Sequence, residues 1–241
     1  LRHLKNQFGA CGLKLSTEDA AMSIEQIGYW AEFSGNILST VVKIGGPNAR
    51  NDIKQLLPLN IDGLIAPMVE SPYGLKNFIS AVRDFTTPMQ FERVKKQINI
   101  ETETAVRQLD SILSAPEAKY IDEITIGCSD LSESMKKPRW DSSFTAQVVK
   151  VVKKIKRKNI PVSVGGGITP ETIDGCLKQV QPDNFNTRLI TFKAEPGRDY
   201  REAVQSALRF EILMLEHDSS LKFISRDEEK FRIKELKKRL K

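Results

Sequence analysis

The sequence predicts an α/β fold, an eight-stranded (β/α)8 barrel of the TIM type, and three observations support this prediction. Short apolar segments alternate with amphipathic helical segments every roughly 20–40 residues, which is the pattern of parallel strands joined by helices. The apolar segments are nearly continuous, as expected for strands that helices cover. The length of 241 residues suits one domain of this kind.

Seven strands can be recognised, at residues 9–16, 40–46, 62–69, 97–101, 123–129, 160–167 and 187–192. This number leaves two arrangements open, a barrel with one unrecognised strand or an open doubly wound sheet. We favour the barrel because polar, glycine and carboxylate residues repeatedly follow the strands. In a barrel these strand ends converge on one mouth, where the active sites of such enzymes lie.

Amphipathic helices are predicted at residues 23–35, 104–115, 144–159, 170–180 and 202–218. In the third of these, Val148, Val149, Val152 and Ile155 form an apolar stripe with the helical period of 3.6 residues. Thr169 followed by Pro170 predicts a capped helix start with proline at the first helical position.

We expect residues 1–225 to form a single barrel domain and residues 226–241 to form a further, charged helix. This terminal helix carries a thin apolar stripe made of Phe231, Ile233 and Leu236. The stripe suits packing against a partner subunit, and a plain terminal helix explains it equally well.

The chain has a modest positive charge, with 37 Lys and Arg against 31 Asp and Glu and a net charge of +6. Basic residues concentrate at 150–158 and 234–241, without the interleaved aromatic residues of single-stranded nucleic-acid binders. We therefore interpret both segments as solvated helix faces and expect no nucleic-acid partner.

Three cysteines, Cys11, Cys128 and Cys176, are too widely separated to indicate a disulfide framework or a structural zinc site. No apolar run approaches the ~18 residues of a membrane span, and residues 1–10 lack the apolar core of a signal peptide. We expect a cytoplasmic protein without a membrane partner. Because the sequence begins with Leu1 rather than Met, we also expect some upstream residues to be missing.

Two carboxylates follow neighbouring predicted strands. Glu101 ends the strand 97–101, and Asp130 follows the strand 123–129. Adjacent barrel strands would place these side chains side by side at the mouth, where two carboxylates with room for water and substrate suit Mg²⁺ or Mn²⁺. The alternative is that each carboxylate merely caps the helix that follows it.

Residues 98–113 and 121–135 (INIETETAVRQLDSIL and IDEITIGCSDLSESM) resemble the paired motif of the HpcH/HpaI aldolase and citrate lyase β-subunit family. Three shorter segments resemble further family motifs in the correct order: STEDA at 16–20, VVKIGG at 41–46 and LIAPMVES at 64–71. The resemblance covers about residues 10–170. It implies a barrel of the phosphoenolpyruvate/pyruvate superfamily in which Glu101 and Asp130 bind the divalent metal.

The resemblance also implies an activity, a metal-dependent carbon–carbon lyase or aldolase that acts on a 2-oxo acid or related carboxylate. The metal would chelate two substrate oxygens and stabilise the enolate. Lys43 occupies the place of the family arginine that grips the substrate carboxylate, although it could instead be a strand lysine that reaches solvent. Glu18 and Asp19 are candidates for ordering water or moving a proton, with helix capping as the alternative.

The substrate shell departs from the family pattern. Lys43 keeps the charge of the family arginine but lacks its bidentate fork. The family histidine has no counterpart, since Asp19 stands at its place and the chain has only two histidines, neither in a motif. Ser16 and Met68 replace a family aspartate and a family lysine. The sequence thus retains the metal pair and changes the residues that define the substrate.

A candidate substrate-binding shell surrounds these residues. Backbone N–H groups after the strand 123–129 would hold a carboxylate, and a glycine run ahead of a helix would hold a distal phosphate or carboxylate. The glycines also permit a tight turn, and we interpret Cys128 as a small buried residue rather than a nucleophile. The shell consists of Lys43, Gly127, Cys128, Ser129, Gly166, Gly167 and Arg188.

Two further functions stay open from the sequence. One is a lyase or transferase of the same superfamily that uses phosphoenolpyruvate or an acyl-CoA. The other is a barrel that has lost catalysis and serves as a binding or assembly subunit, which the missing histidine and replaced arginine motivate. The expected ligand is a small carboxylate, with a phosphorylated or CoA-linked form also open, and the family resemblance favours a homo-oligomer.

Overall fold

The structure, a computed structural model, describes residues 1–240 and contains a closed barrel of eight strands in sequential order. The predicted eight-stranded barrel is confirmed. The strands are β1 (Ala10–Ser16), β2 (Ser39–Lys43), β3 (Gly63–Ala66), β4 (Lys95–Ile100), β5 (Glu123–Gly127), β6 (Val162–Gly165), β7 (Asn184–Asn186) and β8 (Ile190–Lys193).

The barrel closes through a reversed last strand. β1 to β7 pair in parallel, whereas β8 follows β7 after a three-residue turn and pairs antiparallel with both β7 and β1. The sequence pattern missed β7, because three residues are too few to show a periodicity. No helix separates β7 from β8, and the turn between them, residues 187–189, lies at the mouth.

Twelve α-helices surround or extend the barrel within residues 1–240. They are α1 (Arg2–Phe8), α2 (Ile24–Ser34), α3 (Arg50–Leu56), α4 (Pro72–Asp84), α5 (Pro88–Arg93), α6 (Glu103–Arg107), α7 (Leu109–Ser114), α8 (Cys128–Ser134), α9 (Ser142–Lys156), α10 (Ile173–Val180), α11 (Arg201–Ser220) and α12 (Arg226–Arg239). No helix in this part of the chain is long and apolar enough to cross a membrane.

Two helix predictions need correction. The predicted helix 104–115 is divided into α6 and α7, because Gln108 leaves the helical conformation. The predicted start at Pro170 is wrong by three residues. Thr169 and Thr172 close a turn there, in which the Thr172 N–H bonds to the Thr169 carbonyl at 3.2 Å and the Thr172 hydroxyl accepts from the Thr169 N–H at 3.0 Å. The helix therefore begins only at Ile173.

Inside and outside positions alternate along the strands, with one irregularity between Ala10 and Gly12 of β1. Apolar residues such as Leu13, Leu15 and Ile98 are fully buried beneath the helices. The alternate positions of the same strands point into the lumen of the barrel, and many of them are polar or charged, for example Lys14 and Asn99. The main hydrophobic core therefore lies between the barrel and its helices, and the lumen is polar.

The terminal helix α12 packs beside the mouth. Leu236 of the predicted apolar stripe is buried, whereas Phe231 is 66% exposed. Near the end of α12, the Arg239 guanidinium donates a hydrogen bond of 3.0 Å to the carbonyl of Ile168, which follows β6. Packing of α12 on a partner subunit stays a prediction, and Lys241, the last residue of the predicted helix, lies outside the described residues.

Candidate functional site

The mouth of the barrel is formed by the carboxyl ends of β1 to β7 and by the β7–β8 turn. The structure brings the sequence-predicted site residues to this mouth. Glu18 and Asp19 follow β1, Lys43 ends β2, and Glu101 follows β4. The remaining residues lie at the end of β5, in α8, in the segment after β6, and in the β7–β8 turn: Gly127, Cys128, Ser129, Asp130, Gly166, Gly167 and Arg188.

Glu101 is a buried carboxylate with a fixed orientation. It is 2% exposed, and its two oxygens accept hydrogen bonds from the Met68 backbone N–H at 2.9 Å and the Asn99 side-chain amide at 3.1 Å. It packs against Gly127, where an added Cβ would lie 2.5 Å from a Glu101 oxygen. Thr102 rather than Glu101 caps α6, so the capping alternative does not explain Glu101.

The pKa of the Glu101 carboxyl is raised, first by burial and also by the nearby charge of Asp130. The hydrogen bond from Met68, the charge of Lys43 and the Asn99 amide oppose this shift. Both protein donors on Glu101 are neutral, so they leave its negative charge without a direct cationic partner. The ionised form is therefore costly and would be relieved by a cation.

Asp130 lies in the first turn of α8 and is exposed at the mouth. Its carboxylate has no hydrogen-bond or ion-pair partner among residues 1–240. The pKa of Asp130 is raised by partial desolvation, and the charge of Lys43 opposes this shift. Glu18, Glu133 and Asp19 raise it further. Asp130 forms no cap hydrogen bond on α8, whose N-cap residue is Gly127.

Glu101 and Asp130 come from neighbouring strands in register. Ile100 pairs with Ile126, so that Glu101 stands beside Gly127 and Asp130 lies in the helical turn that follows. Among residues 1–240, no group of three or more His, Cys, Asp or Glu side chains is arranged to hold a metal ion. A metal here would depend on two protein carboxylates, with substrate and water in the other positions.

Lys43 belongs to an ion-pair cluster. It is buried, and its ammonium lies 2.6 Å from Glu18 Oε2 and 3.3 Å from Asp19 Oδ1. The Ser16 hydroxyl accepts hydrogen bonds from the backbone N–H groups of Glu18 and Asp19, both at 3.1 Å, which fixes the turn after β1. Glu18 and Asp19 therefore serve neither as helix caps nor as isolated charges.

Arg188 extends this cluster across the mouth. Its guanidinium lies 3.6 Å from Asp19 Oδ2 and 3.5 Å from Oε1 of Glu211, a buried residue of α11 that sequence reasoning missed. Burial alone would raise the pKa of Asp19, but Lys43, the Ser16 hydrogen bond and the charges of Lys14 and Arg188 together lower it to about 2. Asp19 is thus held firmly as an anion.

The glycines after β6 allow close approach to the first turn of α8. Gly166 has a φ of +87°, and a Cβ placed there would lie 2.5 Å from the Ser129 backbone nitrogen. Gly167 lies against Arg139, whose guanidinium donates a hydrogen bond of 2.9 Å to the Ser129 hydroxyl. The sequence did not indicate Arg139, because it follows α8 in a loop without a motif.

Two further residues lie near the mouth, Cys128, whose burial the sequence predicted, and Lys14, which it did not indicate as a site residue. Cys128 is fully buried, and burial raises its thiol pKa well above the usual range, as expected for a packing residue. Lys14, which sequence reasoning missed, points into the lumen below the mouth. Burial and the like charges of Lys43 and Arg188 lower its pKa, while Asp19 and Glu101 oppose the shift. Its alternation with Leu13 and Leu15 was a visible indication of an inward-facing position.

Comparison with known proteins places the chain among similar barrels. The family described as HpcH/HpaI aldolase/citrate lyase matches residues 16–160, which is more than half of the chain. No protein of curated function matches the chain at a significant level.

Three solved structures illustrate the similarity. An HpcH/HpaI aldolase from Desulfitobacterium hafniense DCB-2 has 18% identity and a TM-score of 0.58, covering 70% of this chain and 73% of the other. A citrate synthase, SbnG, has 17% identity and a TM-score of 0.61, covering 87% and 96%. A family protein from Burkholderia cenocepacia J2315 has 15% identity and a TM-score of 0.60, covering 73% and 77%. At these identities the structures support the fold alone.

Proposed function

Because the chain belongs to the HpcH/HpaI aldolase/citrate lyase family, we propose that it is a carbon–carbon lyase that uses a divalent cation held by Glu101 and Asp130. Family membership supports an enzyme of the lyase or aldolase type. The cation and the substrate, a 2-oxo acid or related carboxylate, belong to the proposal.

The residues present suit Mg²⁺ or Mn²⁺. Each of these ions favours oxygen ligands and commonly uses one or two carboxylates together with water and substrate. Asp130 has no partner within residues 1–240, and Glu101 accepts only one hydrogen bond on each oxygen, which leaves lone pairs free. When bound, the ion would supply positive charge that stabilises an enolate.

Asp19 and Glu18 differ in the proton chemistry they suit. A carboxylate with a pKa of about 2 is a weak base at neutral pH, so Asp19 is a poor candidate for taking a proton. We assign Asp19 to orienting Lys43 and Arg188. Glu18 is more than a third exposed at the mouth and lies 2.6 Å from Lys43, and it is the candidate proton-transfer residue.

Lys43 would act through its charge. Its ammonium already pairs with Glu18 and Asp19, so a substrate carboxylate would have to share it rather than bind it alone. The N–H groups at the start of α8 offer further donors for a carboxylate, and Gly166 leaves the space next to the Ser129 nitrogen without a side chain.

The observation that carries the proposal is the pairing of a buried and an unpartnered carboxylate on neighbouring strands inside the family-matched segment. The test is release of pyruvate from a panel of 4-hydroxy-2-oxo acids and oxaloacetate with Mg²⁺ or Mn²⁺. Glu101→Gln and Asp130→Asn should each lower kcat/KM by about a thousandfold, since charge stabilisation of the transition state is lost. Glu133→Gln, one turn further along α8 and exposed, is the matched control and should stay near wild type.

A second candidate is a barrel without catalysis that acts as a binding subunit. The observation in its favour is that two carboxylates already neutralise Lys43. Wild-type protein that releases no pyruvate from any substrate, and whose melting temperature responds to neither cation with oxalate or pyruvate, would support this candidate over the lyase.

A further inference from the structure

The lumen of the barrel contains a second polar cavity, below the mouth and towards the amino ends of the strands. Its volume is about 220 Å³, and it adjoins a wider vestibule on the opposite face of the barrel from the mouth. Cys11, Ser39, Lys95 and Lys193 line both spaces, so the cavity opens towards that face. We call this pair of spaces the floor cavity.

Positive charge predominates in the floor cavity. Lys14, Lys95 and Lys193 line its inner part, and Glu123 is the single acidic residue there within the described chain. Glu123 already accepts a hydrogen bond of 2.8 Å from the Asn184 amide. At the vestibule, Lys5 adds a positive charge. One carboxylate oxygen of Asp62 accepts a hydrogen bond of 2.6 Å from the Thr40 backbone N–H.

The lysines of the floor cavity have few hydrogen-bond partners and no ion-pair partner within residues 1–240. Lys95 donates a hydrogen bond of 2.9 Å to the Ser39 hydroxyl, which is neutral. The ammonium groups of Lys14 and Lys193 have no hydrogen-bond or ion-pair partner within residues 1–240. Lys14 lies inside the barrel, whereas Lys95 and Lys193 are exposed at the open side of the cavity. Like charges that line one cavity repel each other, and an anion bound between them would relieve this repulsion.

We propose that the floor cavity binds a small phosphate-bearing anion. A phosphate group carries close to two negative charges and three acceptor oxygens on one centre, which suits a cavity whose inner part has three lysines and one carboxylate. Side-chain amides and hydroxyls add neutral donors to the phosphate oxygens. Those that line the cavity with a donor still available are Ser39, Gln97, Asn184 and Asn186, whereas the Thr191 hydroxyl already donates to the Asn186 amide oxygen at 2.6 Å.

The floor cavity is independent of the proposed lyase site. Glu101, Asp130 and Glu18 belong to the mouth and do not line it. Lys14 is the residue that connects the two regions. It lines the cavity, and the charges of Asp19 and Glu101 at the mouth raise its pKa against the effect of burial. Loss of lyase activity would therefore leave this proposal standing, and loss of phosphate binding would leave the lyase proposal standing.

The test is calorimetric titration of the full chain with inorganic phosphate and with glycerol phosphate at constant ionic strength, with malonate as the carboxylate comparison. Wild type should bind phosphate saturably and more tightly than malonate. Glycerol phosphate distinguishes a phosphorylated metabolite from free phosphate as the preferred form. The variant Lys193→Gln and the double variant Lys95→Gln/Lys193→Gln should each bind phosphate about tenfold more weakly or worse, because charge-assisted hydrogen bonds are lost.

A control variant locates the site. Lys150→Gln removes an exposed lysine of α9 and should leave the phosphate affinity unchanged. Absence of saturable binding to wild type would overturn the proposal. Equal affinity in wild type and in the Lys193 and Lys95 variants would also overturn it, as would an equal loss of affinity in Lys150→Gln.

A measurement on wild type avoids any folding defect of the variants. Cys11 lines the cavity and is partly exposed, whereas Cys128 and Cys176 are buried. Cys11 is alkylated at mildly alkaline pH, and mass spectrometry measures the rate. The rate should fall severalfold when phosphate saturates the site. An alkylation rate that is the same with phosphate and with chloride would contradict occupancy of the floor cavity.

Discussion

The two sides of the barrel mouth differ in whether their carboxylates are paired with cations. On the β1–β2 side, Lys43 pairs with Glu18 and Asp19, and Arg188 pairs with Asp19 and the buried Glu211. On the β4–β5 side the two carboxylates contact no cation directly. One accepts only neutral hydrogen bonds, and the other has no partner within residues 1–240.

The β1–β2 side is therefore an ionic cluster whose charges are paired within the protein, whereas the β4–β5 side lacks a cation for its two carboxylates. Charges that are paired within the protein stabilise its structure, and removing one partner leaves the others uncompensated. The charge of Asp130 adds to burial in raising the pKa of Glu101, and a carboxylate in this position gains from an external positive charge. The paired side is therefore expected to govern stability, and the unpaired side to govern ligand binding.

The larger stability effect is expected from breaking the paired side. Lys43→Met should lower the free energy of unfolding by about 1–3 kcal/mol, because it leaves Glu18 and Asp19 without their common cation. The figure is below that of a fully buried pair because both acids are partly exposed. Urea unfolding measures the change, and Lys43→Arg, which keeps the charge, should recover most of it. Equal stability of Lys43→Met and wild type would show that the cluster does not stabilise the fold.

A smaller effect is expected from titrating Asp19. Its folded pKa of about 2 lies below the 3.8 of an ordinary aspartate. A lowered pKa means that the stabilisation is fully present above about pH 4 and is lost as the pH falls towards 2. Asp19→Asn should therefore be less stable than wild type at pH 6, and the difference should shrink between pH 4 and pH 2.

Urea unfolding across this pH range checks the Asp19 prediction. Asp227→Asn, which removes an exposed aspartate in the first turn of α12, is the matched control for the loss of one carboxylate. A gap between wild type and Asp19→Asn that stays constant from pH 6 to pH 3 would contradict the assigned ion pairs.

Much of the fold, and the placement of Glu101 and Asp130 at the barrel mouth, could be predicted from sequence, because both depend on local patterns. Glu101 and Asp130 each follow a recognisable strand, and neighbouring strands bring their ends together without long-range information. β7 and the reversal of β8 could not be predicted, since a three-residue strand has no periodicity and its direction depends on closing the barrel.

The contacts around the site required the folded chain. The pairing of Lys43 with Glu18 and Asp19 joins two segments that are more than 20 residues apart. The Met68 N–H reaches Glu101 from a non-glycine residue with a φ of +54°, a conformation that side-chain identity does not indicate. Of the floor-cavity lysines, only Lys14 showed its inward-facing position in the sequence, through its alternation with Leu13 and Leu15. Lys95 and Lys193 lie outside the predicted strands 97–101 and 187–192.

The most direct test of the central claim is calorimetric titration of Mg²⁺ and Mn²⁺ into wild type, Glu101→Gln, Asp130→Asn and Asp19→Asn. We expect wild type and Asp19→Asn to bind one ion per chain, and the Glu101 and Asp130 variants to bind none. Binding that survives in Glu101→Gln and Asp130→Asn but disappears in Asp19→Asn would place the cation on the paired side and contradict the account.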